Sequence, residues 1–160
     1  MGAQKGVYTV VFDQQTIAAA SGDYDLFELV PADDKPIEIV AMLLGNKSEI
    51  GDAQDEMLAI SIVRGNTTSS NGTATTPQLL DPNDNAASFT AEVIGATIAT
   101  GGTSVTLVCD TFNVRSGEPL ILPEIMRPKA TQANTAIYVR LTAAAADDLT
   151  LSGTVWVREL

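Results

Sequence analysis

Histidine is absent from this 160-residue chain. That removes His-activated serine and cysteine nucleophiles, His-ligated zinc, and the usual near-neutral proton shuttle. The single cysteine, Cys109, leaves no partner for an internal disulfide and no second thiolate for a metal cluster. Aromatic residues make up only 5% of the chain, a thin supply for stacking platforms. Lys and Arg number nine against 20 Asp and Glu, a net charge of −11. A surface so charged repels nucleic-acid phosphates and anionic headgroups, so neither nucleic acid nor membrane is expected as a partner. The longest apolar run, Ile39 to Leu44, is far shorter than the ~20 residues that span a bilayer. No apolar h-region follows the N-terminal Met1–Gly6, so no secretory signal is expected and the chain should stay in the compartment where it is made.

What is present is a period of two. Apolar residues are 45% of the chain, enough for a core in one domain. In Thr135–Thr142, Ile137, Val139 and Leu141 share one face while Tyr138, Arg140 and Thr142 share the other. Leu149 to Arg158 repeats the pattern, with Leu149, Leu151, Val155 and Val157 set against Thr150, Ser152, Thr154, Trp156 and Arg158. Further strands are expected at Val7–Phe12, Leu26–Val30, Ile37–Leu44, Met57–Arg64, Phe89–Ile94, Val105–Asn113 and Pro119–Leu122. Only Ser48–Glu56 and Ala143–Asp148 have any helical character, and a turn or two is the most either allows. About eight to ten short strands in one domain predict an all-β fold of two antiparallel sheets, a jelly-roll-like sandwich, with a closed β-barrel as the alternative. Residues 1–20 form an N-terminal strand or arm and 21–160 a single sandwich domain. Between two strands lies a long polar loop, residues 65–87, rich in Thr, Ser and Asn; long loops of this kind are functional or mobile. The aliphatic faces Ile37/Ile39, Leu58/Ile60/Ile62, Val105/Leu107, Ile137/Val139/Leu141 and Leu149/Leu151 are the expected core.

Few residues offer chemistry. Asp81, Asn83, Asn85 and Glu92 fall at positions 1, 3, 5 and 12 of a calcium loop, but Ala86 stands where a sharp turn needs glycine, and strand follows where a helix should start. They are a weak calcium candidate, and the spacing reads as coincidence in a polar turn. No catalytic residue, organic cofactor or resident metal is expected. Cys109 shares a face with Val105 and Leu107 and reads as a buried, inert thiol. Glu118, Glu124 and the Asp147–Asp148 pair could supply acids for glycoside hydrolysis, but acids are numerous enough for chance proximity. Tyr138 and Trp156 are more informative. Alternation puts both on faces opposite their strands' aliphatic residues, as contact residues, as a cross-strand pair under a loop, or, for Trp156, as a residue turned inward by a bulge at Gly153.

Taken together, Glu56–Gly65, the Gly72–Pro77 loop, Phe112–Gly117 leading to Pro123-Glu124, and Leu151–Glu159 resemble capsid decoration (cement) proteins of tailed bacteriophages and prophages, over roughly residues 24–160. The resemblance implies a non-enzymatic jelly-roll subunit, made in the bacterial host cytoplasm, that sits as a trimer on the exterior of the virion. Its partners would be the major capsid protein and other copies of itself. The expected contact residues are Tyr138 and Trp156 with Thr67, Thr68, Asn71 and Thr73 of the polar tract. A carbohydrate- or receptor-binding sandwich module of a phage fibre is the alternative function.

Overall fold

The alternating segments pair into two antiparallel sheets in the computed structural model, which describes residues 6–19, 22–48, 56–95, 97–132, 135–142 and 145–160. Among these residues twelve strands occur in chain order: β1 (Val7–Ile17), β2 (Tyr24–Val30), β3 (Ile37–Asn46), β4 (Met57–Arg64), β5 (Thr73–Thr75), β6 (Gln78–Leu79), β7 (Thr90–Gly95), β8 (Val105–Asn113), β9 (Glu118–Ile121), β10 (Lys129–Ala130), β11 (Ile137–Thr142) and β12 (Leu149–Glu159). Among the described residues the only helical piece is a 3₁₀ turn, Glu124–Met126, and no helix is long and apolar enough to cross a membrane. Of the two segments with helical character, residues 49–55 and 143–144 lie outside the described residues, and 145–148 form a plain connection.

Eight strands trace a jelly roll. Each strand of the first half pairs antiparallel with a counterpart from the second: β1 with β12, β2 with β11, β3 with β9 and β4 with β8. Folding that long hairpin over gives the orders β1-β12-β3-β9 and β2-β11-β4-β8 in the two sheets. Both sheets keep free edges, so the sandwich is not a closed barrel. Segment 1–20 contributes β1, which is paired to β12 along its length and carries core side chains.

The polar tract 65–87 is mostly loop, as expected, but two short strands within it extend both sheets. Its β6 adds to β1, and β5 adds to β7, which itself flanks β2. The core lies between the inward faces, where Ile37, Ile39, Ile137, Val139, Leu149, Leu151, Val155 and Val157 are fully buried. At about 25 cal/mol per Å² of apolar surface removed from water, such residues dominate the folding free energy. One expected pair fails: Val105 is 45% exposed and Leu107 only partly buried. They sit on β8, the outer strand of its sheet, opposite a partner sheet that ends in the four-residue β9, so little lies across from them.

Alternation is broken by bulges, none of them at Gly153. In β1, Asp13 and Gln14 together oppose one residue of β12, with Gln14 at positive φ. In β3, Val40 is the extra residue between Ala41 and Ile39. β12 itself runs unbroken, with buried and half-buried residues alternating from Leu149 to Arg158. Gly153 points inward, and a Cβ there would lie 2.5 and 2.6 Å from the Phe12 ring. The glycine makes room for that aromatic side chain, which packs on Phe27 at 5.1 Å between ring centres.

Candidate functional site

The two outward sheet faces differ in kind. On the second sheet the outward row is polar. Arg140 of β11 faces Asp25 of β2, with Nε 2.6 Å from Oδ1 and Nη2 3.1 Å from Oδ2. Ala99 seals the pair, its N–H donating to Asp25 Oδ2 at 2.6 Å while its carbonyl accepts from Arg140 Nη2 at 3.3 Å. One step along, Glu28 Oε2 accepts from Ser70 N and Oγ at 2.9 and 2.7 Å, and Ser69 Oγ bridges Glu28 and Glu92 at 3.1 Å each. These bonds hold segments 65–72 and 97–103 over the face. Thr68 also bridges to Thr100, and Asn66 Nδ2 donates to Gly101 O.

That cover corrects two expectations. Tyr138 does point away from the core, but it is 1% exposed, with its hydroxyl donating to Asn66 O at 3.4 Å. Burial first, then the nearby Glu28 and Asp25 carboxylates, pushes its phenol well above the ordinary value of 10. It cannot be an exposed contact residue, and it lies on a different sheet from Trp156, so the two form no cross-strand pair. Thr67, Thr68, Asn71 and Thr73 are exposed, on segments fixed to this polar face rather than on a free loop. The cover is missing from the sequence reading because nothing local shows it; the clue was Asp25, Glu28 and Arg140 inside strands that also carry apolar residues.

On the first sheet the outward face is apolar, and none of the described residues lies over its centre. One row runs Val11, Thr154, Leu43, Pro119 across four strands, and the next runs Thr9, Trp156, Ala41, Ile121. Trp156 is half-buried, Val11 and Leu43 are 46% and 44% exposed, and Ile121 is 77% exposed. Val11, Leu43, Pro119 and Thr154 line a shallow groove of about 540 Å³ with Asp13 and Glu118 at its rims. Contiguous exposed apolar surface of this sort marks interaction sites.

Charge gathers at the far end of this face. Glu38 is fully buried, and Arg158 Nη2, Arg127 Nη1 and Lys129 Nζ approach it at 2.7, 2.9 and 3.6 Å. Arg158 Nη2 also reaches Glu124 at 2.9 Å, a hydrogen bond that lowers the Glu124 pKa below its ordinary range. Arg64 Nη1 joins the group through Lys129 O at 2.6 Å.

The remaining candidates scatter. Asp81 Oδ1 caps its own turn through Asn83 N and Nδ2, at 3.0 and 3.2 Å. The Asn85 carbonyl accepts from Tyr8 Oη at 3.1 Å, while Glu92 lies in β7 with Ser69 and Gly72. The calcium-like spacing therefore does not converge. No cluster of three or more metal-ligating His, Cys, Asp or Glu occurs among the described residues. Glu118 faces inward near Asp110, and burial followed by the Asp110 charge raises its pKa; Glu124 is engaged on the outer side with Arg158, so these two acids do not face a common space. Cys109 is exposed, correcting its expected burial. It lies opposite Ser61 on the outward side of β8, and the bulge next to Val108 takes Val105 and Leu107 out of step with it.

Compared with protein-family models, with curated proteins and with solved structures, the chain matches none.

Proposed function

We propose that this chain is a non-enzymatic structural subunit that binds the outside of a bacteriophage capsid as a homo-oligomer and stabilises the shell. One observation carries the reading: a rigid, open sheet face with a half-buried Trp156 at its centre and exposed Val11, Leu43 and Ile121 around it. Trp is among the residues enriched at interface hot spots, and near-neutral contacts around such an anchor serve to exclude water. Jelly rolls also recur in viral shells, though they serve lectins and cupins as well, so the fold alone settles no function. The resemblance to cement proteins supplies the choice of partner, the major capsid protein, and the trimer.

Cementing is linkage. A subunit that binds the intact shell and not its dissociated parts stabilises it by RT ln(1 + [L]/Kd), about 2.7 kcal/mol per site at a hundredfold excess over Kd. Because the centre of the face is apolar, shell binding should depend weakly on salt. The test is to mix purified protein with bare, expanded heads of the cognate phage. Co-sedimentation and a higher disruption temperature, both lost in Trp156→Ala, are expected. No binding to any virion component, or selective binding to one class of glycan instead, would overturn the reading.

A further inference from the structure

The corner formed by the 3₁₀ turn and β10 sets exposed apolar side chains beside a cluster of basic ones. Ile125 is 95% exposed, Met126 65% and Ile121 77%. Directly beside them stand Arg127, Lys129 and Arg158, tied together through Glu38, with Arg64 behind. Four of the nine basic side chains thus share one corner, where Glu38 and Glu124 are the acids paired with them among the described residues. The rest of the chain carries the other 18 acidic side chains against five basic ones. An apolar centre with a cationic rim fits an acidic partner surface, and a second copy of this chain supplies one in any solution of the protein.

Symmetry limits how that second copy can sit. In a two-fold, isologous contact a patch on one copy meets a second patch on the other, and the reciprocal contact repeats it. A cationic corner brought against its own image would place like charges together, which is unfavourable at close range. The corner must instead meet a different, acidic surface of the neighbour, reciprocally in a two-fold pair or head-to-tail around a ring. We infer that the Ile121–Ile125–Met126 corner, with its rim of Arg127, Lys129 and Arg158, is the self-association surface and binds an acidic face of the next copy in a cyclic oligomer. This deepens the homo-oligomer in the proposed function, on which it rests, by naming the surface and the charge that join the copies.

Sedimentation velocity and light scattering on the free protein, without shells, test it. The wild-type chain is expected to form one oligomeric species that dissociates as NaCl rises from about 50 mM to about 500 mM. Ile125→Asp should weaken association by more than about tenfold while the melting curve stays in place, since the side chain projects into solvent; Lys129→Glu should weaken it as much and also melt earlier, because it sets a second carboxylate beside the buried Glu38. Should Ile125→Asp melt early, Lys129→Gln and the salt series on the unaltered chain decide. A wild-type monomer, or variants that assemble like wild type, would overturn the inference. A monomer that still binds heads, with binding lost in Lys129→Glu, would assign the corner to the shell and leave the shell binding of the proposed function standing without its oligomer. An oligomer of the expected kind that binds no head would do the reverse.

Discussion

Replacing Arg140 by Met should be among the most damaging single changes in this protein, because of what it leaves behind. The Asp25 side chain has no solvent exposure, and that of Arg140 only 10%. Two hydrogen bonds from the guanidinium and one from Ala99 N satisfy the carboxylate. Remove the arginine, and a buried charge keeps one neutral donor. Breaking a buried pair from one side typically costs about 3–5 kcal/mol, whereas replacing both partners by groups of similar volume is often close to neutral. The pair also holds Ala99, and with it the 97–103 cover, so part of the loss should appear as opening of that segment. Urea unfolding of Arg140→Met, Asp25→Asn and the double variant forms the cycle. Each single change should lower the midpoint with m unchanged, and the double variant should be more stable than either, giving a coupling of at least about 2 kcal/mol. Single variants within about 1 kcal/mol of wild type, or an additive cycle, would show that the pair does not organise this face.

Gly153→Ala should cost about 1–3 kcal/mol through its clash with the Phe12 ring, and Phe12→Leu should recover much of it in the double variant, read by thermal melting. Ile137→Ala, in the middle of the core, should cost about 2–5 kcal/mol in the same assay. Tyr138 keeps its proton in the folded chain above the pH at which the unfolded chain loses it, so stability should fall as pH rises beyond 10, and Tyr138→Phe should flatten that fall. The Glu118 pKa is raised by burial and Asp110, so the unfolded chain releases this proton at lower pH than the folded one and stability declines as pH climbs through that window. Glu118→Gln should therefore raise the melting temperature at pH 7, and the gain should vanish once the pH is below the ordinary carboxyl value of 4.5.

The sandwich was legible because its core strands are amphipathic. Ile137, Val139 and Leu141, or Leu149, Leu151, Val155 and Val157, can bury one face only by pairing with a second sheet, and β4 and β8 span the residues expected of them. The additions that extend the sheets were less visible. β5, β6 and β10 are two or three residues long, made of Thr, Ala, Gln, Leu and Lys, and exist because a neighbouring edge offers hydrogen-bonding groups rather than because of any local pattern.

Alternation assigns a side chain to a face, but it is silent on what lies over that face, and the candidate site turned on that distinction. Tyr138 and Trp156 are equivalent by period: each stands opposite its strand's aliphatic residues. The difference between them comes from partners far away in sequence. Glu28, 42 residues from Ser70, and Asp25, 74 from Ala99, draw two segments across the second sheet and bury Tyr138. Carboxylates inside a strand are costly to bury without donors, so acids on β2 demanded a cover as surely as the apolar residues demanded a core. Over the centre of the first sheet's outward face the strands carry Val11, Leu43, Thr154 and Trp156, none of which could recruit backbone donors as a carboxylate does. That face is left open because its residues have no polar demand for the chain to satisfy. An apolar surface without such a demand loses least when another molecule, rather than this chain, excludes water from it.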